Sequence, residues 1–267
     1  MIEALQQPFI QRALAAAVIA GFLLPLMGSY LVPKKLALLG DASSHVAFAA
    51  IAITTLLGLS NSLVPYLAPA LAVYIILTMM NRFKISGDQA LAVFLAMGAA
   101  TASIALSLGA RVNLNAILFG SVLLVSDEDV LAGGVVAAVV GPFVALNFGK
   151  TVIYTMSEEL AKIRGVNVKF YQVFLAVAAG LAIVSGIKVA GVLLVTALLA
   201  IPTAAASLVA GSFKKSVILS VSMGIVSTLT GVVLSYYTGI TPGAASVLVL
   251  LSALMASALM WRLRLRI

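Results

Sequence analysis

Cysteine is absent from this chain of 267 residues, so disulfides, thiol nucleophiles and thiolate metal ligands are all excluded. Charge is scarce too: Asp, Glu, Lys and Arg amount to 9% of the sequence, against about 25% in an ordinary soluble domain. Histidine occurs once, at position 45, which leaves no second imidazole for the His-Glu-x-x-His motif of an intramembrane metalloprotease. It also leaves Ser43 and Ser44 without a workable triad, because the neighbouring acid, Asp41, falls on the same helix face as the histidine. Stretches of mixed polarity long enough for a soluble ATPase, nuclease or redox domain are missing, and enzyme function is not expected of this chain.

What fills the sequence instead is apolar: 63% of residues are hydrophobic and the mean hydropathy is +1.21. Apolar windows run from Phe9 to Val32, Leu36 to Leu59, Leu63 to Met80, Gln89 to Leu108, Val130 to Phe148, Phe170 to Ile187, Val189 to Ala210, Ser216 to Tyr237 and Gly243 to Trp261. Each is long enough to cross about 30 Å of hydrocarbon as a helix, the open-ended element that satisfies its own backbone in lipid. The expected fold is all-α, a polytopic membrane helix bundle of about eight or nine spans, with residues 1–267 forming a single transmembrane domain. Gly186 and Lys188 make the sixth and seventh windows the pair open to merging or breaking elsewhere. A shorter run, Leu114 to Val125, reads as an interfacial or re-entrant helix. The opening residues, with Glu3, a proline and glutamines, do not read as a cleavable signal peptide.

The net charge of +8 raises nucleic acid as a partner, but the basic residues lie between apolar runs and form no patch, so none is expected. With nine spans, 13 of the 16 basic residues fall on one side of the membrane, leaving Arg12, Arg111 and Lys188 on the other. By the positive-inside rule the amino terminus is outside and the carboxyl terminus cytoplasmic.

Ionisable groups in a span are costly and therefore informative. Asp41 and His45 stand four apart at the start of the second window, so a helix projects both from one face. A carboxylate and an imidazole one turn apart are a partial shell for a first-row dication, with positions left for water or a symmetry mate. A helix cap hydrogen-bonded to a structural histidine is the equally open alternative. Asp127, Glu128 and Asp129 suit a helix start or a cation entrance, and Asn61, Asn113, Asn115 and Asn147 suit interhelical hydrogen bonds. Pro202 should kink its span, and Thr241-Pro242-Gly243 opens the last one.

The longest basic-side connection, Gly149 to Lys169, contains Ser157-Glu158-Glu159-Leu160-Ala161-Lys162-Ile163-Arg164-Gly165, a short helix with acids early, bases late and a glycine stop. It serves either as a solvated link or as a docking element. Gly149-Lys150-Thr151 lacks the upstream glycine of a phosphate-binding loop and marks no nucleotide site.

Several stretches in order resemble the permease subunit of the zinc/manganese-type ABC importers. They are Leu39-Gly40-Asp41-Ala42-Ser43-Ser44-His45, Leu118-Phe119-Gly120-Ser121 through Val125-Ser126, Glu158-Glu159-x-Ala161 with Gly165, Val189 through Pro202, and Leu234-Ser235-Tyr236-Tyr237 with Thr241-Pro242-Gly243-Ala244. The resemblance implies a multi-pass permease of the cell membrane that moves Zn²⁺ or Mn²⁺ inward as cargo, with no permanently bound cofactor and no catalytic residue. It implies Asp41 and His45 as metal ligands. It implies Glu158, Glu159, Ala161 and Gly165 as the segment coupling to two cytoplasmic ATPase subunits, a homodimeric pore in the lipid bilayer, and an extracytoplasmic metal-binding protein. Ala49 and Ala50 depart from the family's Pro-Gly after the histidine. A permease for a metal chelate such as a siderophore, and a carrier driven by an ion gradient, are the rival readings.

Overall fold

A computed structural model describes residues 7–59, 63–113, 120 and 125–264, and among these every regular element is helical. The helices are α1 (Pro8–Leu31), α2 (Leu39–Leu56), α3 (Val64–Phe83), α4 (Gly87–Ser107), α5 (Asp127–Leu146), α6 (Phe148–Met156), α7 (Glu158–Ile163), α8 (Val168–Ala190), α9 (Val192–Val209), α10 (Phe213–Thr238) and α11 (Pro242–Arg264). Eight of them are long and apolar enough to cross a membrane, and α9 is a shorter apolar helix. The run from Leu114 to Val125, with the motif at 118–121, lies outside the described residues except for Gly120 and Val125.

Local chemistry sets the boundaries. α1, α3 and α11 begin at prolines or one residue before them, where the missing N–H costs nothing. Ser86 and Ser126 head capping boxes with Gln89 and Asp129, so the acids at 127–129 are the first turn of α5. Arg12 reaches Asp127 at 3.5 Å, an exposed pair that adds little stability. The sixth and seventh windows are separate helices, and the break falls at Gly191, with φ +80°, while α8 continues through Gly186 and Lys188. Lys150 and Thr151 lie inside α6, where the Thr151 hydroxyl donates to the Asn147 carbonyl, so the glycine-lysine-threonine run is helix and not a loop.

α1 is the most enclosed span and packs against α10, α8, α9 and α5. Small residues allow its closest approach. A Cβ at Gly21 would collide with the Thr228 hydroxyl and lie 2.7 Å from the Gly224 carbonyl of α10. α2 is held between α4, α3 and α9, which places its first two turns inside the bundle. At one end of the bundle, the 3₁₀ turn Val32–Lys34 leads from α1 toward α2 and packs on α6, Lys34 pairs with Glu158 of α7, and Lys35 and Leu36 lie against Gly87 at the start of α4.

Candidate metal-translocation site

Asp41 and His45 are the third and seventh residues of α2. Their side chains converge, with Asp41 Oδ1 3.5 Å from His45 Nε2, and both are partly enclosed at 31% and 22% exposure. Two donors bound to one tetrahedral ion at about 2.0–2.1 Å stand roughly 3.4 Å apart. The separation of the pair is close to that spacing. No third His, Asp or Glu joins them among the described residues.

Ser43 Oγ, Ser44 Oγ, His45 Nδ1 and Thr196 Oγ1 are buried and have no hydrogen-bond partner among the described residues. Elsewhere on the same helix Thr54 and Thr55 donate to the carbonyls of Ala50 and Ile51, the usual resting place of a helical hydroxyl. An unpartnered buried polar group costs about 1–3 kcal/mol. Ser44, three residues after Asp41, shares the helix face of the pair, while Ser43 projects from the opposite side of α2. Thr196 comes from α9, whose backbone lies against Gly40: a Cβ there would be 2.9 Å from Thr196 Cα. The sequence reading names Asp41 and His45 but gives Thr196 no role. Only its hydroxyl in an otherwise apolar run could have flagged it.

A second cluster lies on the segment after α6. Ser157 caps α7 by accepting from the Leu160 N–H, and Gly165, at φ +70°, ends it after Arg164. Ala161 is fully buried, whereas Glu159 is exposed and Leu160 and Ile163 present 55% and 80% of their surface. Glu158 turns inward, where its carboxylate accepts from Lys34 Nζ at 2.9 Å and from Asn81 Nδ2 at 3.4 Å. Lys34 Nζ also sits 4.0 Å from the centre of the Tyr154 ring. Burial and the adjacent Glu158 carboxylate push the Tyr154 phenol above its ordinary range. Of the asparagines, Asn147 joins two spans by accepting from the Tyr171 hydroxyl, and Asn61 and Asn115 lie outside the described residues.

An all-helical bundle with eight helices long and apolar enough to cross a membrane, and a short capped helix between two of them, defines a multi-pass membrane protein. Residues 6–261 match the ABC 3 transport family, and the chain belongs to it. Manganese transport system membrane protein MntC of Listeria monocytogenes is 31% identical over 250 residues, covering 92% of this chain and 88% of the relative. A Haemophilus influenzae membrane protein named for an iron transport system is 29% identical over 249 residues, covering 93% and 92%. The solved structure of PsaBC from Streptococcus pneumoniae in complex with Fab superposes with a TM-score of 0.83 at 29% identity, covering 96% of this chain and 93% of that one. The chain is thus a multi-pass permease of the plasma membrane with the architecture of an ABC transporter subunit.

Proposed function

We propose that this single-domain permease carries a free divalent transition metal ion into the cell, Mn²⁺ in preference to Zn²⁺, past Asp41 and His45. The observation that carries the reading is the 3.5 Å approach of Asp41 Oδ1 to His45 Nε2, on the helix face that also carries the buried Ser44 hydroxyl. The Asp41 carboxylate suits Mn²⁺, a harder ion than Zn²⁺, and no thiolate is present to favour zinc. The name of the Listeria relative supports manganese. Two such half-sites meet across a homodimer, because two ligands per chain leave a shell incomplete and loosely held, as release of cargo requires. The metal is cargo, and no resident cofactor is called for.

Two cytoplasmic ATPase subunits dock on α7, where exposed Leu160 and Ile163 flank Glu159 and the Gly165 stop, while buried Ala161 seats the helix on the spans. An extracytoplasmic binding protein supplies the ion at the end that carries Arg12 and Asp127, which places the amino terminus outside. The test is ATP-dependent uptake of Mn²⁺, Zn²⁺ and Fe²⁺ into proteoliposomes holding this chain and its ATPase. Loss of uptake in Asp41→Ala and His45→Ala at normal membrane content supports the reading. Uptake that survives both changes would favour a chelate path, and uptake without the ATPase would favour a gradient-driven carrier.

A further inference from the structure

Lys34 belongs to neither the metal pair nor the exposed face of α7, yet it joins the two. Its ammonium donates to Glu158 Oε1 at 2.9 Å and lies 4.0 Å from the Tyr154 ring centre, and its side chain is only 11% exposed. Among the described residues this is the one salt bridge that ties α7 to another part of the bundle. Its other end is mechanically short. Lys35 N donates to Val32 O at 2.9 Å, Leu36 N to Leu31 O at 3.2 Å and Leu39 N to Leu36 O at 3.1 Å, so the link into α2 is closed turn by turn. Leu36 and Leu39 are fully buried and anchor that link in the core. Seven positions after Lys34, on the helix this link feeds, stands Asp41.

A second, uncharged tie runs the other way. Asn81 of α3 donates to Glu158 and to Gln172 of α8, and Gln172 donates to Thr78. Glu158 is therefore held by a cation on the α1–α2 link and by an amide on α3, and the cation is the stronger hold.

The geometry points to Lys34 as a positioning residue for transport: through Glu158 it carries movement of α7 to the start of α2, and so to Asp41 and His45. This rests on the reading of α7 as the ATPase docking segment. A short link tied by a part-buried charge pair moves with α7, whereas a solvated lysine would let α7 shift alone.

The experiment is co-reconstitution of the permease with its ATPase in liposomes, with Mn²⁺ uptake and ATP hydrolysis measured in the same vesicles. Lys34→Met should retain co-purification of the ATPase and lose about tenfold in ions moved per ATP, and Lys34→Arg should stay near wild type. The exchange Lys34→Glu with Glu158→Lys should recover a substantial part of the ratio, which a merely structural loss would not. An unchanged ratio in Lys34→Met, or an exchange variant no better than Lys34→Met, overturns the tie while wild-type ATP-driven uptake leaves the permease reading standing. Wild-type vesicles without ATP-driven uptake would overturn both.

Discussion

Gly98 of α4 lies directly against the backbone of His45: a Cβ at position 98 would stand 2.7 Å from the His45 carbonyl carbon and 2.8 Å from the Val46 nitrogen. The imidazole is thus placed by a contact between two helix backbones as well as by the rotamer of its own side chain. Gly98→Ala should push α2 and α4 apart, cost about 1–3 kcal/mol through overpacking, and weaken Mn²⁺ uptake without removing a ligand. Gly211→Ala, where an added Cβ meets nothing within 4 Å, is the matched control. Uptake and melting temperature in detergent would be read for both. Equal behaviour of the two would show that Gly98 does not position His45.

Thr228 on α10 donates to the Ala17 carbonyl of α1 at 2.8 Å, a hydrogen bond between the two spans in closest contact. Interhelical bonds of this kind are worth about 0.6 kcal/mol on average, and about 1.7 at most, in membrane proteins. Thr228→Val should therefore lower stability only slightly. Gly21→Leu should lower it far more, because even a Cβ at Gly21 meets the Thr228 hydroxyl and the Gly224 carbonyl. Chemical denaturation in mixed micelles separates the two, and the reverse order would show that hydrogen bonding, not close packing, holds α1 to α10.

Tyr154 offers a test by pH. Burial and then the Glu158 carboxylate hold its phenol above the usual value of about 10. A raised folded-state pKa means that the native chain keeps a proton the unfolded chain gives up. Its contribution to stability is whole below about pH 10 and declines as pH rises past that point. Tyr154→Phe should remove this part of the alkaline loss, and ultraviolet titration of the variant against wild type should show that the tyrosine removed ionises above the ordinary range. A variant whose alkaline unfolding matches wild type would mean that Tyr154 titrates freely.

The spans were legible because their determinants are local: runs of apolar residues, proline at helix starts, serine caps and glycine stops are each visible within a few positions. Asp41 and His45 were legible for the same reason, since four residues of spacing fixes a shared helix face. Thr196 and Gly98 were not, because they reach the pair from helices distant in sequence, and nothing local distinguishes Gly98 from the chain's 20 other glycines. Lys34 was visible only as one more basic residue flanking a span. Its pairing with Glu158 joins positions 124 apart, and an inside-facing charge reads the same whether solvated or buried. The departures at Ala49 and Ala50 leave α2 unbroken, with both residues packed inside.

The break at Gly191 shows how one backbone angle divides 42 residues into two helices. Gly191 N donates to Ile187 O at 2.8 Å, closing α8, while its carbonyl accepts from Leu194 N at 3.2 Å and opens α9. Both roles are filled at φ +80° and ψ +159°, a region that is essentially closed to residues bearing a Cβ. Gly191→Ala should cost about 1–3 kcal/mol and, by favouring continuous helix, draw Thr196 away from Gly40. Gly186→Ala is the comparison: it lies within α8 in ordinary helical conformation, and its added Cβ meets the movable end of Leu24 at 2.6 Å and Val195 Cγ2 of α9 at an ordinary 3.5 Å. If strain at position 191 is what separates α8 from α9, the Gly191 variant melts lower and loses more Mn²⁺ uptake than the Gly186 variant. Should Gly186→Ala prove the worse of the two, packing against α1, not the left-handed turn, is what sets the course of α9.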